Sequence, residues 1–113
     1  MKNQYKNKIN SEYILDVSTQ IRWKKTIKFL KPFEANAGLD IGDRTPLTSD
    51  LEAKFSCKFD STRGDLDELV LEGVYQIITS FEVIEHLFNP LHFLLQCKRV
   101  LSKSGILYLS MPT

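Results

Sequence analysis

The chain has 113 residues, 42% of them apolar, which suits one domain with a real core and argues against a disordered chain. Its formal net charge of +1 argues against wholesale binding to nucleic acid or a membrane, and no apolar run approaches the ~18 residues of a membrane span. Cys57 and Cys97 form no Cys-x-x-Cys pattern, so they are expected as buried thiols, without a disulfide or a zinc site.

The charge is uneven. Residues 1–31 hold eight Lys/Arg against Glu12 and Asp16, a balance of +6, while the remainder holds seven basic and twelve acidic residues, a balance of −5. The basic stretch reads as a solvated helix face, with contact to a phosphate or an acidic partner as the functional alternative. A polar, lysine-rich start has no signal-peptide core and points to the cytoplasm. Oligomeric state is not fixed by these features, a dimer being one option.

In chain order, residues 1–10 read as a mobile tail. Ser11 to about Leu30 has helical spacing, with Ile14, Val17 and Ile21 on one face and Trp23, Ile27 and Leu30 on a neighbouring one, until Pro32 stops it. Residues 1–35 thus form a basic tail and helix, and residues 36–113 the core of the same single domain. The helix is expected to pack on the sheet edge or to cover a site.

Gly38–Ile41 reads as the first strand, ending in the turn Gly42-Asp43-Arg44-Thr45. Thr45 can cap a helix with Pro46 at its first position, where a missing N–H costs nothing. Ser49 and Glu52 have capping-box spacing, which offers a later start. Leu47, Leu51 and Phe55 recur at i, i+4 and i+8 on one helical face. Cys57–Asp60 is a short second strand, Ser61–Gly64 a turn, and Asp65-Leu66-Asp67 a remnant third strand. Gly73 ends a short helical turn. Val74–Phe81 is apolar enough for a strand buried on both faces. Asn89-Pro90 opens a helix through Leu91, Leu94, Leu95 and Leu101, which stops at Ser102–Gly105. Ile106–Met111 is the last strand, ended by Pro112. Alternating strands and helices predict a three-layer α/β domain, with a parallel sheet of about four to five strands and right-handed crossovers.

Ligands of such sheets bind beyond the C-terminal strand ends. Gly42 sits at one such end, where the absence of a Cβ lets a ligand approach the backbone. Asp60 lies about 20 residues beyond Asp40, the offset at which nucleotide-binding folds place a ribose-binding acid.

Three stretches resemble class I AdoMet-dependent methyltransferases, over roughly residues 36–113. Gly38-Leu39-Asp40-Ile41-Gly42 looks like the first motif of that family. Phe81-Glu82-Val83-Ile84-Glu85-His86-Leu87-Phe88-Asn89-Pro90-Leu91 resembles the segment after the fourth strand in small-molecule methyltransferases. Arg99–Pro112 resembles the following helix end and fifth strand. The resemblance implies a Rossmann-like fold, S-adenosyl-L-methionine (AdoMet) as cofactor and methyl transfer to a small-molecule acceptor. It implies that Gly38, Asp40 and Gly42 frame the methionine part of the cofactor. By the same likeness Asp60 binds the ribose, Asp65 and Leu66 lie near the adenine, and Ser80, Phe81 and Glu82 line the far wall.

The sequence departs from the family in three places. Arg44 and Pro46 stand where further glycines are usual; Arg44 can pair with Asp43 or Asp60, reach the cofactor carboxylate, or block the site. The connection between the second and third strands is short. The likeness stops at the fifth strand, where the family continues with two more. The competing reading is a non-catalytic methyltransferase-like module with a degenerate cofactor loop.

Glu85 and His86 are the candidate catalytic residues, with His86 a possible general base. Glu82, Glu85 and His86 at i, i+3 and i+4 fall on one side of a helical turn and offer donors to a divalent metal, as in a minority of relatives; polar contacts without a metal are the favoured reading. His92 is expected in packing or at the surface. An NAD-dependent dehydrogenase is disfavoured, because no Gly-x-Gly-x-x-Gly follows the first strand.

Overall fold

Short runs of apolar and β-prone residues, each closed by a turn former, give four strands in the computed structural model, which describes residues 17–111. The elements are helix α1 (Val17–Phe29), strand β1 (Gly38–Asp40), helix α2 (Pro46–Phe55), strand β2 (Phe59–Ser61), strand β3 (Tyr75–Phe81), a 3-10 turn (Ile84–His86), helix α3 (Pro90–Val100) and strand β4 (Leu101–Ser110). The strands form one parallel sheet in the order β2-β1-β3-β4. The predicted tail, the helical residues before Val17 and the stop at Pro112 lie outside the described residues.

Strand alternation sends Gly38, Asp40, Phe59 and Ile77 to one face, and Leu39 and Ile78 to the other. On the first face Leu30, Leu47, Leu51, Phe55, Phe59 and Ile77 form a core with Trp23 and Ile27 of α1 packed on it. On the second, Leu39, Ile41, Leu71, Ile78, Phe93, Cys97 and Val100 form a core under α3. The result is the predicted three-layer, Rossmann-like α/β arrangement. Ile77 and Ile78 have no exposed surface, which is why β3 reads as a continuous apolar run. Burying each is worth roughly 1.5–3 kcal/mol. The thiols of Cys57 and Cys97 are free, and burial pushes that of Cys97 up to about 11. Among the described residues no helix is long and apolar enough to cross a membrane.

Local structure departs from the sequence reading at several points. Of the two apolar faces assigned to α1, only the Trp23–Ile27–Leu30 face meets the core; Val17 and Ile21 are exposed. Helix α2 starts at Pro46 after Thr45, and not at Ser49. Thr48 occupies the third helical position, and its Oγ1 accepts the Thr45 N–H at 3.1 Å, so the capping box forms at Thr45/Thr48 and not at the later Ser49/Glu52 alternative. Asp65-Leu66-Asp67 is a turn and not a strand. The Asp65 carboxylate accepts the Asp67 N–H at 2.9 Å, and the Asp65 carbonyl accepts the Glu68 N–H at 3.2 Å, so the side chain competes successfully with sheet pairing. Helix α3 ends at Val100 and passes directly into β4, with Ser102–Gly105 forming an irregularity within the strand. Tyr75 pairs with Leu101 while Ile77 pairs with Ile106, so four residues of β4 face one of β3.

Candidate functional site

The site is built where β1, β3 and β4 end. Gly38 comes first in the chain but serves the core. A Cβ there would lie 2.7 Å from the Phe59 ring, so only glycine lets the ring close over β1. Two residues on, Asp40 is 6% exposed and fully engaged. Its Oδ1 accepts the Thr79 hydroxyl and its Oδ2 the Thr48 hydroxyl, each at 2.7 Å. Because Thr48 Oγ1 also receives the Thr45 N–H, Asp40 is linked through one hydroxyl to the start of α2. Burial raises the Asp40 carboxyl above its ordinary value, and the two threonines and the Arg44 charge oppose that rise.

Gly42 follows with φ of 104°, in the left-handed region that favours glycine. Its N–H donates to Thr62 Oγ1 at 2.8 Å, and its carbonyl accepts the Thr62 N–H at 3.0 Å. The loops after β1 and β2 are thereby joined. Arg44 turns away from this junction. It pairs with Glu52 of α2 and donates to Ser49 Oγ at 3.2 Å and to the Phe59 carbonyl at 3.5 Å. Glu52 also accepts the Phe59 N–H at 2.9 Å, and the Arg44 bond is the main reason its carboxyl lies below the usual range. Arg44 therefore makes neither of the ion pairs anticipated for it, with Asp43 or with Asp60, and it does not block the cavity described next.

After β3 the chain reverses at Glu82, whose φ of 58° is rare for a residue with a side chain. Its N–H is shared by the hydroxyl and the carbonyl of Ser110 on β4, both at 3.1 Å. Backbone outliers of this kind concentrate at functional sites. The Glu82 carboxylate meets Arg22 of α1, whose Nη1 lies 2.8 and 3.0 Å from its two oxygens. The 3-10 turn then presents Glu85 and His86, with Glu85 Oε1 3.4 Å from His86 Nε2.

These elements enclose a cavity of about 530 Å³. Its floor is Asp40 and Ile41 at the end of β1, with Phe81 and Glu82 at the end of β3 and Ser110 beside them. Asp43, Thr45 and Leu47 from the loop after β1 and the start of α2, and Glu85 and His86 from the 3-10 turn, also line it. Arg22, Trp23 and Thr26 of α1 close it from above. The volume lies in the range of small-molecule sites, and the position is the ligand-binding end of a parallel sheet.

Of the residues singled out from sequence, Asp40, Phe81, Glu82, Glu85 and His86 meet at this cavity, and Gly42 lies in the loop between two of its lining residues. Gly38, Asp60, Asp65, Leu66 and Ser80 are not on its wall. Asp60 pairs in the sheet with Leu39, one residue short of the end of β2, and accepts the Tyr75 hydroxyl at 2.7 Å. Leu66 is half-buried against the α3-side core. Ser80 is fully buried, and its hydroxyl has no hydrogen-bond partner among the described residues. His92 Nε2 contacts the Leu69 carbonyl at 2.8 Å, the packing role expected of it.

The metal alternative needed Glu82, Glu85 and His86 on one helical turn. Glu82 instead precedes the turn in a left-handed conformation and faces Arg22. Among the described residues no three of His, Cys, Asp and Glu converge as a metal set.

Sequence reasoning allowed α1 to cover a site but did not single out Arg22, Trp23 or Thr26. The available signal was the i, i+4 spacing of Arg22 and Thr26, with an aromatic residue beside them. Thr48 and Thr79 gave none, since their value lies in where Asp40 sits.

Similarity to known proteins bears on the same region. The model of a family described as "Methyltransferase domain" matches residues 30–109. A protein of Mycolicibacterium smegmatis (strain ATCC 700084 / mc(2)155) bearing the name "Probable S-adenosylmethionine-dependent methyltransferase" is 33% identical over 76 residues, 66% of this chain and 28% of that protein. The chain thus spans well under half the length of that relative. Since the matched region runs from the end of α1 through β1 and β3 nearly to the end of β4, and so carries most of the cavity, this chain belongs to the methyltransferase-domain family.

Proposed function

We propose that this chain binds S-adenosylmethionine across the C-terminal ends of β1 and β3 and takes part in methyl transfer to a small-molecule acceptor. One observation carries the reading. In a chain of this family, the segment Phe81–His86 and the loop after β1 together line a cavity of about 530 Å³ at the ligand-binding end of the sheet.

The residues present fit such a cofactor. Carboxylates at the floor and rim suit its cationic and hydroxyl groups, and Trp23, Ile41, Leu47 and Phe81 suit its apolar surface. Asp40, Gly42, Phe81 and Glu82 form the cofactor side. Bound there, S-adenosylmethionine supplies a methyl group already activated by its sulfonium. The chain's own task is to orient the acceptor, exclude water and hold a proton. His86 is the residue for the proton. Glu85 Oε1 lies 3.4 Å from Nε2, and the imidazole offers a ring nitrogen to take a proton from the acceptor.

Calorimetric titration of the purified chain with S-adenosylmethionine tests this reading. Saturable heat and a matching thermal shift are expected. No heat and no shift at millimolar ligand would overturn it.

A further inference from the structure

Two surfaces outside the strand-end cavity carry opposite charge. The first is a groove of about 630 Å³ between α1 and α2. Ile21, Ile27 and Ala53 supply its apolar lining. Its charged lining is Lys24, Lys25, Lys28 and Lys54 against Asp50, a balance of +3. The second is the strap 68–72, which leads towards β3. Its backbone is pinned to α3. The Leu69 carbonyl meets His92 Nε2 at 2.8 Å, the Leu71 N–H donates to Gln96 Oε1 at 3.0 Å, and the Leu71 carbonyl accepts from Arg99. Leu69 and Leu71 pack in the α3-side core, while Glu68, Val70 and Glu72 are exposed, Val70 at 64%. Among the described residues, neither these two glutamates nor the four groove lysines make an ion pair.

An exposed apolar side chain between two carboxylates complements an apolar groove set with lysines. One molecule cannot bring the two together, because the groove belongs to the helices on one face of the sheet and the strap to the layer on the other. We infer that the strap of one copy docks in the α1–α2 groove of a second copy, with Val70 against the apolar lining and Glu68 and Glu72 among the lysines. Because α3 already holds the strap in shape, little order is lost on docking. The contact is heterologous: each copy offers one strap and one groove, so association runs head to tail. A surface of this size gives a weak interface, and salt screens its charge pairs.

Charge reversal tests the contact by sedimentation velocity of the whole chain, at concentrations up to about 1 mM and low ionic strength. The native chain should associate with rising concentration and dissociate in high salt. A strap variant, Glu68→Lys with Glu72→Lys, and a groove variant, Lys24→Glu with Lys25→Glu, should each self-associate at least about tenfold more weakly. All four positions are exposed, and far-ultraviolet circular dichroism checks that both variants are folded. Mixed in equal amounts, the two variants should associate again. The reversed strap of one then meets the reversed groove of the other, and the remaining native strap meets the remaining native groove. A native chain that stays monomeric overturns the inference. So does association that either reversal leaves intact, or a mixture that stays monomeric. None of these results bears on S-adenosylmethionine binding.

Discussion

Arg22 and Glu82 lie sixty positions apart in the chain, yet Nη1 of one sits 2.8 and 3.0 Å from the two carboxylate oxygens of the other. The pair ties α1 to the left-handed residue at the end of β3 and crosses the roof of the cavity. Both side chains are about half exposed, at 53% and 42%, so the contact is worth little to overall stability. Arg22→Ala should cost no more than about 1 kcal/mol in a urea titration. Its effect should appear locally, as faster amide hydrogen exchange in α1 and a severalfold loss of S-adenosylmethionine affinity. Unchanged exchange in α1 would show that the helix is held by Trp23, Ile27 and Leu30 alone.

Asp40 gives a prediction about pH. Its folded-state carboxyl is raised by burial, so the native chain holds that proton more firmly than the unfolded chain. The associated stability is complete below the ordinary aspartate value of 3.8 and is lost as pH rises through the folded-state value. Asp40→Asn, which does not titrate, lacks this term. The stability of the native protein relative to Asp40→Asn should therefore fall as pH is raised from about 4 towards neutrality, measured by denaturant unfolding at each pH. Asp40→Ala should cost more, about 1–3 kcal/mol, because the Thr48 and Thr79 hydroxyls lose their acceptor in a buried setting.

Arg44 stands where the family usually has glycine, but it faces Glu52 and Ser49. Arg44→Gly should leave S-adenosylmethionine affinity within a factor of about two, since no wall of the cavity is removed and an exposed ion pair contributes little. The variant should be less stable than the native chain near neutral pH, and the difference should vanish in acid. Glu52 is held below its usual range chiefly by Arg44, so its contribution is present above about pH 4.5 and disappears as pH falls through the folded-state value. Without Arg44 that acid limb should flatten. A large gain in affinity would mean that the guanidinium does obstruct the ligand.

Asp60 tests the placement of the ribose acid. Its carboxylate accepts the Tyr75 hydroxyl, and it is not on the cavity wall. Asp60→Ala should change S-adenosylmethionine affinity by less than about threefold, under 1 kcal/mol. Its signature should be at Tyr75, whose phenol is pushed up to about 12 by burial and then by the Asp60 bond and charge. Near-ultraviolet absorbance should show phenolate forming at lower pH in the variant, while burial still keeps it above the ordinary value of 10.0. A clear loss of affinity would return Asp60 to the ribose.

By itself the sequence determined the layers and the end of the sheet at which a ligand belongs. Leu47, Leu51 and Phe55 keep one helical face, Val74–Phe81 reads as doubly buried, and Pro46 and Pro90 mark helix starts, because these signals are local and periodic. The same logic placed Asp40, Gly42 and Phe81–His86 at strand ends, and five of those side chains do meet at the cavity. Only the tertiary structure decided which acids face inward. Asp40 ends β1 and Asp60 lies one residue short of the end of β2, but β1 is central and sends Asp40 towards α2, whereas β2 is the edge and turns Asp60 towards Tyr75. Arg44 was open among several partners until the packing of α2 beside β2 brought Glu52 within reach. The roof of the cavity joins residues sixty positions apart, and no short-range pattern encodes such a contact. Backbone periodicity is written locally; the direction of a polar side chain depends on which neighbour the fold supplies.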